Sequence, residues 1–148
     1  MERRLPLGLT VGGLVVVCLL VAGQGRAHHS FGAEYDGTKP FKLTGIVTMV
    51  RWTSPHAYFW MDVKDEKGAT ANWKFEGYSQ VVLNRIGWKR NDTMVPGDEV
   101  DVTGWLARDG TPSGQARNVT FRKNGQTLEW GPNAGTGDGG NTPPTFVQ

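Results

Sequence analysis

Between Lys39 and Trp130 the apolar positions recur mostly every second residue, which is the period of a half-buried strand. "KPFKLTGIVTMVRW" is a long run of apolar and β-branched residues with Gly45 in its middle, predicting one long strand bent or bulged at that glycine. "HAYFWMDVKD" alternates cleanly, with Phe59, Met61 and Val63 on one face and Tyr58, Trp60 and Asp62 on the other. "DEKG" turns the chain, and "ATANWKFEGY" returns with Trp73 and Phe75 sharing a face. The period then changes. "SQVVLNRIGW" predicts a short helix with Ser79 as N-cap, Val82 and Ile86 on one side, and Gly87 as a left-handed stop. "VPGDEVDVTGWLA" is a turn and a strand with Val100 and Val102 inward. "DGTPSG" is a loop, and "QARNVTFRKNGQTLEW" is a further strand with a hairpin at Asn124-Gly125.

Three strands, a helix, then two or three strands is the element order of a small five-stranded Greek-key barrel of OB type. The expected class is therefore all-β with one short helix. A long, glycine-bent first strand supports the barrel, because one strand then serves both halves of the sheet. A β-sandwich is the alternative, but it would want about seven short strands and no intervening helix.

The flanks differ in kind. "MERRLPLGLTVGGLVVVCLLVAGQGRA" has a positive start at Arg3 and Arg4, an 18-residue apolar run from Leu5 to Ala22, and small residues at Gly23, Gly25 and Ala27. That is the pattern of a secretory signal, expected over 1–27, with cleavage after Ala27 giving a mature start at His28. An uncleaved anchor is its competitor. "GPNAGTGDGGNTPPTFVQ" has almost nothing to bury, so 131–148 is expected to be a disordered tail and 28–130 the barrel domain.

Removal of 1–27 changes the charge. Lys plus Arg falls from 16 to 13 and Asp plus Glu from 14 to 13, so the formal charge drops from +2 to zero. No basic footprint remains, which argues against nucleic acid as a partner. The single cysteine, Cys18, leaves with the signal, so the expected mature chain has no disulfide and no thiolate metal site. Stable membrane insertion is not expected after cleavage. The localisation expected is periplasmic or secreted.

The stretches "AHHSFGAEYD", "KLTGIVTMVRWTSPHAYFWMDVKD", "NWKFEGYS" and "PGDEVDVTGW" resemble a family of small exported bacterial proteins of unknown function. Its members begin after the signal with Ala-His-His-Ser-Phe and carry a Trp-Thr-Asn-Pro-His stretch. The resemblance covers Ala27 to Trp130. Ser54 stands where that motif has Asn, so no role for the amide carries over. The resemblance implies export and a small β-barrel, and no established activity.

All three histidines fall in those stretches. With cleavage after Ala27, His28 carries a free α-amine beside its imidazole, and the two can chelate a divalent metal. One further imidazole completes a three-nitrogen site suited to copper. His56, after a proline at the start of a strand, is the candidate third ligand, and His29 is the substitute. Glu34, Tyr35 and Asp36 are near enough in sequence to add oxygen ligands or supporting hydrogen bonds. Metal ligation needs neutral imidazole, so binding is expected to fail below about pH 6. The competing reading makes His28 and His29 a frayed terminus and has His56 cap a turn through its ring N–H. A copper-dependent oxidase is a third reading. It needs a broad substrate face and an open coordination position that nothing in the sequence specifies, so no catalytic residue is assigned.

The aromatic residues offer a different function. On an OB barrel, outward rings on the second and third strands are a stacking platform for bases or sugars. Tyr58 and Trp60 are the candidate ligand-binding residues, for a glycan or a periplasmic protein partner. The competing and favoured reading has these aromatics half-buried, packing where helix and tail cover the barrel's outer wall. Lys64 to Lys67 are expected at a solvated hairpin tip. Asp98 belongs to the Pro96-Gly97-Asp98 turn, and alternation puts Glu99 and Asp101 on a solvent face.

Overall fold

A computed structural model describes residues 31–133. A single helical turn, α1 (Phe31–Glu34), leads directly into β1 (Tyr35–Arg51). The chain continues as β2 (Tyr58–Lys64), β3 (Thr70–Glu76), α2 (Gln80–Arg85), β4 (Glu99–Ala107), β5 (Ser113–Phe121) and the short β6 (Thr127–Glu129). The expected signal peptide, with His28 and His29, lies outside the described residues. Of the tail read from 131, only 131–133 are described. Gly131 is buried there and the Pro132 carbonyl accepts from Gln115 Nε2 at 3.4 Å.

The strands close into a ring. β1 pairs antiparallel with both β2 and β4, β2 with β3, and β4 with β5. A parallel match of β3 with β5, from Lys74 opposite Ser113 to Glu76 opposite Gln115, closes the circuit. The resulting order, 1-2-3-5-4-1 with a helix between β3 and β4, is the five-stranded Greek-key barrel of OB type. β6 extends the seam, pairing with Asn118–Thr120 of β5 beyond the stretch that β3 occupies.

Closure depends on the 17 residues of β1. Its first part pairs with β4 and its last part with β2, and Gly45 and Ile46 pair with both. At Gly45 a Cβ would strike the Asp62 carbonyl on the neighbouring strand, so glycine permits the close approach the bend requires. The bulge itself is not at Gly45, as the sequence suggested. The register with β2 shifts between Val47 and Met49, making Thr48 the extra residue.

Alternation fills the barrel as expected. Phe59, Met61, Phe75, Val100, Val102, Val119 and Phe121 are buried in one cluster. One end is closed by indoles: Trp130 meets Trp88 edge-on at 4.9 Å between centroids and Trp52 at 5.9 Å. Four of the six tryptophans (Trp52, Trp88, Trp105 and Trp130) are buried. Ser79 caps α2, its Oγ accepting from Val82 N at 3.3 Å, and Gly87 has φ +100°. The inward face of α2 differs from the predicted one. Leu83 is fully buried whereas Ile86 is 42% exposed, because the helix is too short for a stripe and anchors through one residue.

The wall also has an outer layer. Trp105 is buried outside the main cluster, with Phe31 packed edge-on against it at 5.7 Å. Arg108 fastens the same segment, donating from its backbone N to the Glu34 carbonyl and from Nε to the Gly32 carbonyl. Residues 31–36 thus belong to the fold. Among the described residues no helix is long and apolar enough to cross a membrane.

Candidate functional site

His56 stands in the loop between β1 and β2, next to the cis Ser54–Pro55 bond. This loop is clipped to the segment after β3. Ala57 N donates to Tyr78 O, Gly77 N to Ala57 O, and Gln80 N to Thr53 O. Thr53 Oγ1 adds a bond to the His56 carbonyl at 2.6 Å. The ring is held as firmly as the backbone. Nδ1 lies 3.1 Å from the Gly77 carbonyl and 3.1 Å from Glu76 Oε1. Both neighbours are acceptors, so Nδ1 carries a proton. In the neutral ring the Nε2 lone pair is then left available, and the side chain is 45% exposed.

Glu76, the last residue of β3, organises the surroundings. Its carboxylate is 15% exposed and meets His56 through one oxygen, while Oε2 accepts from the Tyr35 hydroxyl at 2.9 Å. Tyr58 sits directly opposite on β2 and feels the Glu76 charge. Burial and the Glu76 charge push the Tyr35 phenol well above the ordinary tyrosine value, and the same two causes push Tyr58 up. Both hydroxyls therefore remain donors at neutral pH.

The candidate residues distribute as follows. His28 and His29 lie outside the described residues. His56, Tyr35 and Tyr58 converge on Glu76. Asp36 takes no part: its carboxylate accepts from Thr38 N at 3.1 Å and Thr38 Oγ1 at 2.7 Å, which holds it below the usual carboxylate range. Among the described residues no three His, Cys, Asp or Glu side chains form a group that holds a metal, so His56 contributes a single imidazole. Glu76 was absent from the candidates. The hairpin closes between Asp65 and Ala69, and that register sets position 76 opposite 58.

Carboxylates elsewhere have structural partners. Asp98 caps Val95 N and pairs with Lys123 at 2.8 Å. Asp101 accepts from Thr44 Oγ1 at 2.7 Å and Arg122 at 3.0 Å.

A second feature covers the outside of β1, β2 and β3. Tyr58 and Trp60 point outward and are half-buried, with centroids 6.2 Å apart. The Lys74 ammonium lies over the Tyr58 ring at 5.3 Å and the Arg51 guanidinium over Trp60 at 5.6 Å. An open depression of about 530 Å³ adjoins this face, bordered by Tyr35, Lys74, Arg108 and Ser113.

No curated protein and no solved structure matches the chain. One family does: the profile of DUF6152, a family of unknown function, matches residues 15–117, a span that includes all three histidines, Glu76 and the Tyr58–Trp60 pair. The chain belongs to that family.

Proposed function

We propose that the protein is an exported, periplasmic binding protein that holds a divalent metal, copper foremost. In this reading His56 donates Nε2, with His29 as its substitute, and the amine and imidazole of a mature amino-terminal His28 supply the other nitrogens. One observation carries the reading. The His56 ring is oriented by a carboxylate and a carbonyl on Nδ1, the outer-shell arrangement that fixes the tautomer of metal-ligating histidines. A surface histidine that merely capped a turn would need the carbonyl alone. One amine and one imidazole nitrogen from His28 plus a second imidazole from His56 favour copper over the harder magnesium or calcium.

The test joins intact-mass measurement of the exported protein to copper titration. The expected mass is that of residues 28–148, with one copper bound per chain. Affinity should fall at least tenfold in His28→Ala and in His56→Ala. A mature terminus at another residue, or unchanged affinity in His28→Ala, overturns the reading.

A non-metal alternative is an interaction module built on the Tyr58–Trp60 face. The cations lying over both rings favour it specifically.

A further inference from the structure

We infer that the outer face of β1–β2–β3 is a binding site for an acidic oligosaccharide, separate from any metal bound at His56. Register builds the face. Arg51, Tyr58 and Glu76 form one cross-strand row, and Met49, Trp60 and Lys74 the next. The two cations are diagonal to each other with the two rings between them.

Charge on this face is unevenly satisfied. Glu76 is engaged by Tyr35 and His56, and Asp62 by the Asn72 amide at 2.7 Å. Arg51 and Lys74, both exposed, rest on rings and form no ion pair among the described residues. Asp109 feels the Lys74 charge from the rim, but its own carboxylate is tied to Thr111. Among the described residues the side-chain N–H groups of these two cations make no hydrogen bond, and the complement of the pair is an anion.

The rings say what kind of anion. A guanidinium or ammonium on an aromatic face occupies the surface on which a neutral sugar would stack. A neutral ligand would have to displace both cations without compensation. An acidic sugar offers each cation a carboxylate as it leaves, exposing the ring for the C–H face of a pyranose. Arg51 in addition suits a planar carboxylate bidentately. Two rings in tandem, 6.2 Å apart, match a chain of successive ring-shaped units. Exposed Met49 beside Trp60 adds an apolar border. Nucleic acid fits less well, since the chain beyond residue 27 balances 13 basic against 13 acidic residues.

The experiment is a fluorescence titration of the full exported chain with four probes: an oligouronate, a neutral oligosaccharide of equal length, a single-stranded oligonucleotide and oligoglutamate. The oligouronate should shift the tryptophan emission and bind at least tenfold more tightly than the other three, more weakly as salt rises. Arg51→Ala/Lys74→Ala and Trp60→Ala should each lose at least tenfold, with urea midpoints marking that both remain folded. Arg51→Lys should retain part of the affinity. Absence of oligouronate binding, or equal binding by the double variant, overturns the site. Tighter binding of the oligonucleotide or oligoglutamate overturns the ligand class. Copper titration of the same samples separates this outcome from that of the His28–His56 reading.

Discussion

Glu76 shows how one carboxylate acts on three neighbours. It orients the His56 ring, accepts from Tyr35 and faces Tyr58 across the hairpin. Its charge, added to burial, raises both phenols. Tyr78, half-buried and bonded to Glu129 Oε1 at 2.8 Å, is pushed up to about 12. These three are all the tyrosines of the chain. Absorbance titration at alkaline pH should therefore detect less tyrosinate in the folded protein at pH 10 than in the urea-unfolded chain, which is half ionised there. Each phenol has a folded value above its unfolded one. The stability it contributes is complete below about pH 10 and is lost as pH rises through the folded value, about 12 for Tyr78. Glu76→Gln should move the Tyr35 and Tyr58 titrations downward and leave Tyr78 in place. Ordinary ionisation of any of the three in the folded protein would contradict the geometry. The convergence was only partly legible in the sequence: His56, Tyr35 and Tyr58 stand out by type, but Tyr35 and Glu76 are 41 residues apart. Only closure of the barrel brings that hydroxyl to that carboxylate.

At the scale of elements, the strands were readable because burial alternates with the pleat, and the inward sets 59/61/63 and 100/102 hold throughout. α2 was readable in its caps but not in its face. Ser79 and Gly87 act locally, through one side-chain acceptor and one positive φ. Which of Val82, Leu83 and Ile86 turns inward depends on the angle at which six residues meet the barrel. Leu83→Ala should destabilise the domain by about 2–5 kcal/mol, and Ile86→Ala by less than about 0.5 kcal/mol, both read from urea midpoints. The reverse order would restore the face the periodicity suggested. β1 teaches the same lesson about bulges. Glycine marks the bend at Gly45, but the extra residue falls at Thr48, where β1 has already left β4 and must still stay in register with β2.

For the whole molecule, cohesion comes from an aromatic core in a barrel whose closing seam is short. β3 and β5 share three residue pairs, and just past them Trp130 packs edge-on to Trp88, Trp52 and Phe59. Gly77 lies against the Trp130 ring so closely that a Cβ there would collide with it. Trp130→Ala should cost about 3–5 kcal/mol, a large part of the roughly 5–15 kcal/mol typical of a domain. Its equilibrium unfolding would shift to much lower urea, and an unshifted midpoint would mean the indole cluster does not hold the seam. By itself the sequence determined the strand faces, the helix caps, the turn positions and the order of elements that specifies an OB-type barrel. Each of these depends on period, local backbone freedom or a short-range hydrogen bond. Tertiary structure alone decided the placement of the bulge, the inward residue of α2, the Phe31 cover on Trp105 and the gathering of Tyr35, His56 and Tyr58 on Glu76. Those features need distant segments to meet, and the spacing of residues along a chain carries no record of which segments closure brings together.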